Sequence, residues 1–239
     1  MHKKETIIQA ILAQKILPLY YHDDPGVTKD VLEALYNGGI RVVEYTHRGA
    51  NALQNFQALR VVANERMSDL FLGIGTIKNK EVAKKYLEAG ADFIICPSMN
   101  TEVGMVAGEK NILWIPGCMT PTEIAAAENA GARLVKIFPG SLLGPAYIKA
   151  INDIFPGMMM LVTGGVEGEE SNLRNWFEAG VAGVGMGSKL ITKSLVEQKD
   201  FAGLTASVQK ILEMVRQIPT PSTAAQRTIN CFSCVIMLR

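Results

Sequence analysis

A lysine stands in the middle of the apolar stretch LVKIFPG, which runs from Leu134 to Gly140. The apolar neighbours and the closing Pro139-Gly140 pair predict a short buried strand. Because taking an ammonium group out of water is costly, Lys136 either reaches solvent from an exposed face or is a reactive amine that desolvation holds neutral. The strand pattern alone favours the solvated face. A neutral amine would instead attack a carbonyl carbon and form a Schiff base.

A carboxylate and an arginine follow another apolar stretch, IRVVEYTHRG. Glu44 can carry protons for a reactive amine, directly or through a water, and a nearby cation such as Arg48 disfavours the charged form of a lysine. The alternative is structural, with Glu44 forming a salt bridge to Arg48 or Lys136. The sequence leaves both roles open, and one residue can fill both.

Two glycine-rich turns follow later apolar stretches, TGG at Thr163 to Gly165 and GMGS at Gly185 to Ser188. Glycines let the backbone come close to a ligand, and free amides before a helix N-terminus bind phosphate. The alternative is that the glycines only make tight turns. The two turns together favour a phosphate site, to which the Ser188 hydroxyl adds a donor.

Helical and extended patterns alternate in about eight strand–helix units after an N-terminal amphipathic helix, ETIIQAILAQ. Several helices end in NGG, EAG or NAG, with a glycine suited to the helix end before a strand. The strands are apolar throughout, as parallel strands covered on both faces are. We predict an α/β protein, a single (β/α)8 barrel with an extra N-terminal helix. A doubly wound open sheet is disfavoured because no GxGxxG opens a helix after the first strand.

A barrel changes the interpretation of Lys136. Active sites in this fold lie at the C-terminal ends of the strands, so Lys136, Glu44, Arg48 and the two glycine turns meet around one mouth. An apolar interior removes hydration from the lysine, which now favours the reactive amine. An amine, a carboxylate, an arginine and a phosphate cradle are the equipment of a Schiff-base aldolase that acts on a phosphorylated keto acid.

The net charge and the absence of targeting patterns limit which partners and which cellular location we expect. The formal net charge is +1, which argues against nucleic acid or an anionic membrane as the partner. The N-terminus lacks a signal-peptide pattern and no apolar run reaches transmembrane length, so we expect a cytoplasmic protein. His2, His22 and His47 lack metal-ligand spacing. We expect no metal and no organic cofactor, since a metal-dependent aldolase built around His22 would leave Lys136 without a role.

The barrel pattern stops at residue 218, and the composition of residues 219–239 differs from that of the preceding chain. PTPSTAAQRT is a Pro/Ser/Thr linker, and INCFSCVIMLR carries Cys231 and Cys234 in a CxxC that we interpret as incidental. Cys96 and Cys118 lie in apolar segments and are predicted to be buried. We expect one domain over residues 1–218 and a dispensable C-terminal tail, either disordered or an appendage.

Six motifs in this order and spacing, EYTHR, GIGTI, ICPS, WIPGCMTPTE, VKIFPG and TGGV, resemble the 2-dehydro-3-deoxy-6-phosphogluconate (KDPG) aldolase family, which overlaps with 4-hydroxy-2-oxoglutarate (KHG) aldolase. The resemblance spans Thr6 to Lys189. It implies that Lys136 forms the Schiff base and Glu44 carries the proton. It also implies substrate contacts for the residues Arg48 and Thr76 (carboxylate), Pro97 (pyruvate pocket), and Thr163, Gly164, Gly165, Gly187 and Ser188 (phosphate).

The resemblance implies a class I aldolase that cleaves KDPG to pyruvate and glyceraldehyde 3-phosphate, without a cofactor, as a homotrimer. The alternatives are the same chemistry on unphosphorylated 4-hydroxy-2-oxoglutarate or on the phosphogalactonate epimer, and a barrel that only binds a phosphorylated metabolite. The motif EYTHRG departs from many members of the family, in which an aliphatic residue precedes the arginine. We expect His47 to point outward rather than into the mouth.

Overall fold

The computed structural model describes residues 3–219, and its centre is a ring of short parallel strands. The strands are β1 (Ile16–Tyr20), β2 (Val42–Thr46), β3 (Phe71–Gly75), β4 (Phe93–Ile95), β5 (Leu113–Ile115), β6 (Gly117–Cys118), β7 (Leu134–Ile137), β8 (Met159–Thr163) and β9 (Gly183–Met186). Their order in the sheet is β5-β4-β3-β2-β1-β9-β8-β7-β6. The two outer members, β5 and β6, are separated in sequence only by Pro116. They are halves of one strand, so the ring has eight positions, as predicted.

Helices alternate with the strands and cover the outside of the ring. They are α1 (Lys3–Gln14), α2 (Pro25–Asn37), α3 (Ala52–Arg66), α4 (Lys80–Glu88), α5 (Thr101–Glu109), α6 (Pro121–Asn129), α7 (Gly140–Ile154, broken at Gly144), α8 (Glu170–Glu178), α9 (Lys193–Glu197) and α10 (Phe201–Gln217). The predicted glycine endings of four helices all have positive φ: Gly39, Gly90, Gly131 and Gly180. This backbone conformation favours glycine. The predicted (β/α)8 barrel with an extra N-terminal helix is confirmed.

Two apolar layers fill the molecule, one inside the ring and one between the strands and helices. The inner layer includes Leu17, Val42, Phe93 and Leu161 from the strands, together with isoleucines of α1. Ile7, Ile8 and Ile11 are at most 1% exposed, and each such buried side chain contributes roughly 1.5–3 kcal/mol to stability. Helix α1 therefore closes the end of the barrel from which the strands begin.

Gln14, the last residue of α1, joins this helix to the first two strands through four hydrogen bonds. Its Nε2 donates to the carbonyls of Ile16 (2.6 Å) and Val42 (2.9 Å), and its Oε1 accepts from the amides of Arg41 (2.6 Å) and Val42 (3.0 Å). The Gln14 amide group thus makes two hydrogen bonds as donor and two as acceptor, and it provides a partner for four backbone groups at the start of the barrel.

Within residues 3–219 there is no helix long and apolar enough to cross a membrane. Almost all of the predicted tail, including Cys231 and Cys234, lies outside the described residues.

We predict that Gln14→Ala lowers the free energy of unfolding by about 2–4 kcal/mol, because it leaves several buried backbone groups without partners. The measurement is urea denaturation followed by circular dichroism. Gln57→Ala, the same change at an exposed position of α3, serves as control. If both variants lost the same free energy of unfolding, the Gln14 hydrogen bonds would contribute nothing beyond helix propensity.

Candidate active site

Lys136 and Glu44 meet in the interior of the barrel from opposite sides of the ring. Lys136 lies on β7 and Glu44 on β2, and β1, β9 and β8 separate these strands. Lys136 Nζ lies 3.7 Å from Glu44 Oε1, and the two side chains are only 7% and 1% exposed. The apolar residues around Lys136 in the sequence therefore reflect a strand covered on both faces, and the solvated explanation of this lysine is wrong.

The Glu44 carboxylate is buried, and neither of its oxygens accepts a hydrogen bond from any of residues 3–219. The contact with Lys136 is close enough for an ion pair but longer than a hydrogen bond. Buried polar groups in folded proteins are nearly always hydrogen-bonded. Both oxygens can therefore receive a hydrogen bond or a proton from a bound molecule.

Phe138 is a second close neighbour of the lysine amine. Its ring centroid is 5.3 Å from Lys136 Nζ, within the range of a cation–π contact. Phe138 directly follows β7 and is partly exposed, so an aromatic ring that reaches solvent also contacts the amine.

Arg48 and Thr76 follow the adjacent strands β2 and β3, whose last residues Thr46 and Gly75 are register partners. Arg48 is exposed at the rim, and Thr76 is half-buried with φ of 64°. A β-branched residue rarely adopts positive φ, and such strain costs of the order of 1–3 kcal/mol and concentrates at functional sites. The structure thus places both predicted carboxylate ligands at the mouth.

Pro97 lies one strand away from Lys136, against β6. Gly117 of β6 is the register partner of Lys136, and a Cβ at Gly117 would collide with the backbone of Pro97. The half-buried Pro97 therefore packs against the strand beside the one that carries the lysine.

The two glycine turns are neighbours, as predicted, because Thr163 and Gly185 are register partners on β8 and β9. Gly164 and Gly165 have φ of 91° and 72°, so glycine is needed in this turn. A Cβ on Gly165 would lie 2.8 Å from Ser141 Cα. The Thr163 hydroxyl is buried and has no hydrogen-bond partner among the described residues, so it is free to bind a ligand.

A cavity of about 400 Å³ brings Arg48, Gly187 and Ser188 together at the mouth. Its remaining wall includes residues that were not predicted to be site residues: Tyr21, His22, Lys193 and Glu197. Tyr21 and His22 directly follow β1 and are recognisable in the sequence as residues after a strand. Lys193 and Glu197 lie on α9, and no sequence signal marks them. Lys136 and Glu44 do not line this cavity.

His47 points away from the mouth, as expected. Its Nδ1 lies 2.9 Å from the Tyr86 hydroxyl on α4, and the two rings pack edge to face. Burial lowers the pKa of His47, and Lys78 and Lys85 lower it further. A neutral His47 therefore belongs to the packing between β2 and α4.

Cys96 and Cys118 are buried and free, as predicted. Burial raises their pKa values to about 11 and about 12, so both remain thiols near neutral pH and are poor nucleophiles. Among residues 3–219, no group of three or more His, Cys, Asp and Glu side chains could hold a metal ion.

Comparison with known proteins assigns the family. The family model "Aldolase: KDPG and KHG aldolase" matches residues 7–207. The chain is 34% identical over 196 residues to the 2-dehydro-3-deoxy-6-phosphogalactonate aldolase of Escherichia coli, covering 80% of this chain and 93% of that protein. It is 29% identical over 211 residues to the 2-dehydro-3-deoxy-phosphogluconate aldolase of Treponema pallidum, covering 88% of this chain and 98% of that protein.

The fold also matches solved structures. The KDPG aldolase of Legionella pneumophila, with pyruvate captured as a covalent carbinolamine intermediate, superposes with a TM-score of 0.78 over 85% of this chain and 97% of that chain. At 24% identity this match shows the fold alone. The family match and the similarity over most of both sequences confirm the resemblance. The chain belongs to the KDPG and KHG aldolase family and is an aldolase, a lyase.

Proposed function

We propose that the chain is a class I aldolase that cleaves 2-dehydro-3-deoxy-6-phosphogluconate to pyruvate and glyceraldehyde 3-phosphate. The observation that carries the proposal is the buried pair at the centre of the barrel, with Lys136 Nζ 3.7 Å from Glu44 Oε1. An amine beside a carboxylate that has free acceptors is the minimum machinery for imine formation and proton transfer.

The reaction begins when the neutral amine of Lys136 attacks the C2 carbonyl and the carbinolamine loses water. The resulting iminium accepts the electron pair of the C3–C4 bond, while Glu44, directly or through a water, takes the proton of the C4 hydroxyl. Glyceraldehyde 3-phosphate leaves, and an enamine remains on Lys136. Glu44 returns its proton to C3, and hydrolysis of the imine releases pyruvate and the free amine.

The surroundings of the pair suit this sequence of steps. Both side chains are almost fully buried, and exclusion of bulk water strengthens electrostatic interactions and protects a reactive intermediate. Arg48 and Thr76, on adjacent strands, would bind the carboxylate of the keto acid, since guanidinium and carboxylate pair with two hydrogen bonds. Pro97 would form the apolar wall against the methyl end of pyruvate.

The distal end of the substrate would reach the neighbouring turns of β8 and β9. Gly164, Gly165 and Gly187 would present backbone amides to the phosphate, and the hydroxyls of Thr163 and Ser188 would add donors. The support for this assignment is the adjacency of the two turns, the left-handed glycines and the Thr163 hydroxyl, which has no hydrogen-bond partner among residues 3–219.

A second candidate substrate is the phosphogalactonate epimer, which differs only at C4. It is favoured by the relative that is 34% identical and named for that activity. Unphosphorylated 4-hydroxy-2-oxoglutarate is the remaining enzymatic alternative. A barrel that only binds a metabolite is disfavoured, because it would bear the cost of burying Lys136 and Glu44 without using them.

The proposal extends to the whole protein on the strength of the resemblance. The enzyme would act as a homotrimer in the cytoplasm, without a metal or organic cofactor, through a barrel domain of residues 1–218. Residues 219–239 would be a dispensable appendage.

Pyruvate and borohydride should add one reduced pyruvyl group to the chain, at Lys136. The measurement is intact-mass spectrometry followed by peptide mapping. Lys136→Arg should abolish both the adduct and turnover, since arginine keeps the charge but cannot form the imine. Lys189→Arg, an exposed lysine that pairs with Glu167, is the control and should behave as wild type. An active enzyme that is labelled elsewhere, or not at all, would contradict the mechanism.

Ser188→Ala should reduce kcat/KM for the phosphorylated substrates by about ten- to a hundredfold, the range for one hydrogen bond to a charged group. The same change should affect 4-hydroxy-2-oxoglutarate much less. The assay compares both phosphorylated epimers and the unphosphorylated acid, with Ser194→Ala on the exposed face of α9 as control. A wild-type preference for the unphosphorylated acid, or equal losses on all three, would refute the phosphate assignment.

A further inference from the structure

Three glycines of the strands lie where a neighbouring candidate site residue needs space. A Cβ built on Gly75 would collide with the Glu44 carboxylate, one on Gly185 with the Thr163 hydroxyl, and one on Gly117 with the backbone of Pro97. Glycine in a strand weakens it and often marks a place where another group approaches closely. Here the approaching groups all belong to the candidate site.

Gly75 makes the closest of these approaches. It ends β3, beside Thr46 of β2, and its built Cβ would overlap Glu44 Oε1 and lie 2.5 Å from Glu44 Cδ and 2.8 Å from Glu44 Cγ. Its φ lies outside the left-handed region, so the backbone conformation does not demand glycine there. The space is required by the carboxylate.

We infer that Gly75 is a positioning residue for the aldol reaction, because its missing side chain is the space that lets the Glu44 carboxylate point at Lys136. The inference rests on the proposed role of Glu44. A methyl group at position 75 would displace the buried Glu44 carboxylate from its position 3.7 Å from the amine. The amine of Lys136 would remain where it is.

Gly73 supplies a matched comparison on the same strand and the same face. A Cβ at Gly73 would meet the ring of Phe93, a residue of the inner apolar layer. Gly73 therefore makes room for core packing, whereas Gly75 makes room for a carboxylate. The same glycine-to-alanine change at the two positions should affect different properties.

The experiment separates imine formation from proton transfer in the full-length enzyme with pyruvate as the probe. Borohydride trapping reports the imine at Lys136, and exchange of the pyruvate methyl protons in D₂O, followed by NMR, reports the base. Gly75→Ala should keep trapping close to wild type while slowing exchange by about 10²-fold, within the range for a lost general base. Gly73→Ala should lower the melting temperature and keep the exchange rate per folded molecule.

A second pair of variants tests whether the effect is steric. Glu44→Asp shortens the side chain by one methylene and so moves the carboxylate away from position 75. The double variant Glu44→Asp/Gly75→Ala should therefore exchange less than about tenfold more slowly than Glu44→Asp alone. This loss is smaller than the one that Gly75→Ala causes in the wild type, so the two effects are not additive. If Gly75→Ala alone does not fold, the double variant should still fold. The inference would be overturned if the double variant also failed to fold. It would also be overturned if Gly75→Ala slowed exchange equally in the wild type and in Glu44→Asp.

The outcomes also separate this inference from the proposed function. If wild-type enzyme forms no adduct at Lys136, the proposed mechanism itself fails. If wild type traps pyruvate and exchanges its protons, and Gly75→Ala exchanges equally fast, only the role of Gly75 is refuted. The same follows if Gly73→Ala slows exchange as much as Gly75→Ala.

Discussion

The structure depends on holding an amine and a carboxyl group together inside an apolar barrel. Removing these polar groups of Lys136 and Glu44 from water costs free energy that hydrogen bonds normally offset, and their 3.7 Å contact is longer than a hydrogen bond. The buried isoleucines of α1 and the apolar layers on both faces of the strands provide the compensating stability. Because β1, β9 and β8 separate the strands of the two residues, closure of the sheet into a ring brings them together.

The two ends of the barrel have different tasks. Toward the C-terminal ends of the strands lie Thr76 with its positive φ, the left-handed Gly164 and Gly165, and the Thr163 hydroxyl, which has no hydrogen-bond partner among residues 3–219. At the other end, Gln14 has all its hydrogen bonds and the isoleucines of α1 are buried. In this fold the C-terminal end carries the active site, and the opposite end serves stability.

Much of this could be predicted from sequence, because continuous apolar runs and glycine helix endings are local signals of parallel strands. The meeting of Lys136 and Glu44 followed from the predicted closed barrel, although the structure places both residues within their strands rather than at the ends. Other features depend on distant packing. Lys193 and Glu197 reach the cavity only because α9 folds over the end of β1. The need for glycine at position 75 arises from the side chain of Glu44, 31 positions earlier in the sequence. The pattern predicted helix α1 but not its place beneath the ring.

The placement of α1 has a consequence for attaching this enzyme to other molecules. Lys3 pairs with Asp92, just before β4, and the Lys15 ammonium donates to the carbonyls of Val215 and Ile218 at the close of α10. Both limits of the described chain thus emerge on the face opposite the mouth. A partner domain, an affinity handle or a surface linker joined at either side would leave the route of substrate and product open. The barrel is therefore suited to attachment in multi-enzyme scaffolds, in which the mouth of each copy would face outward.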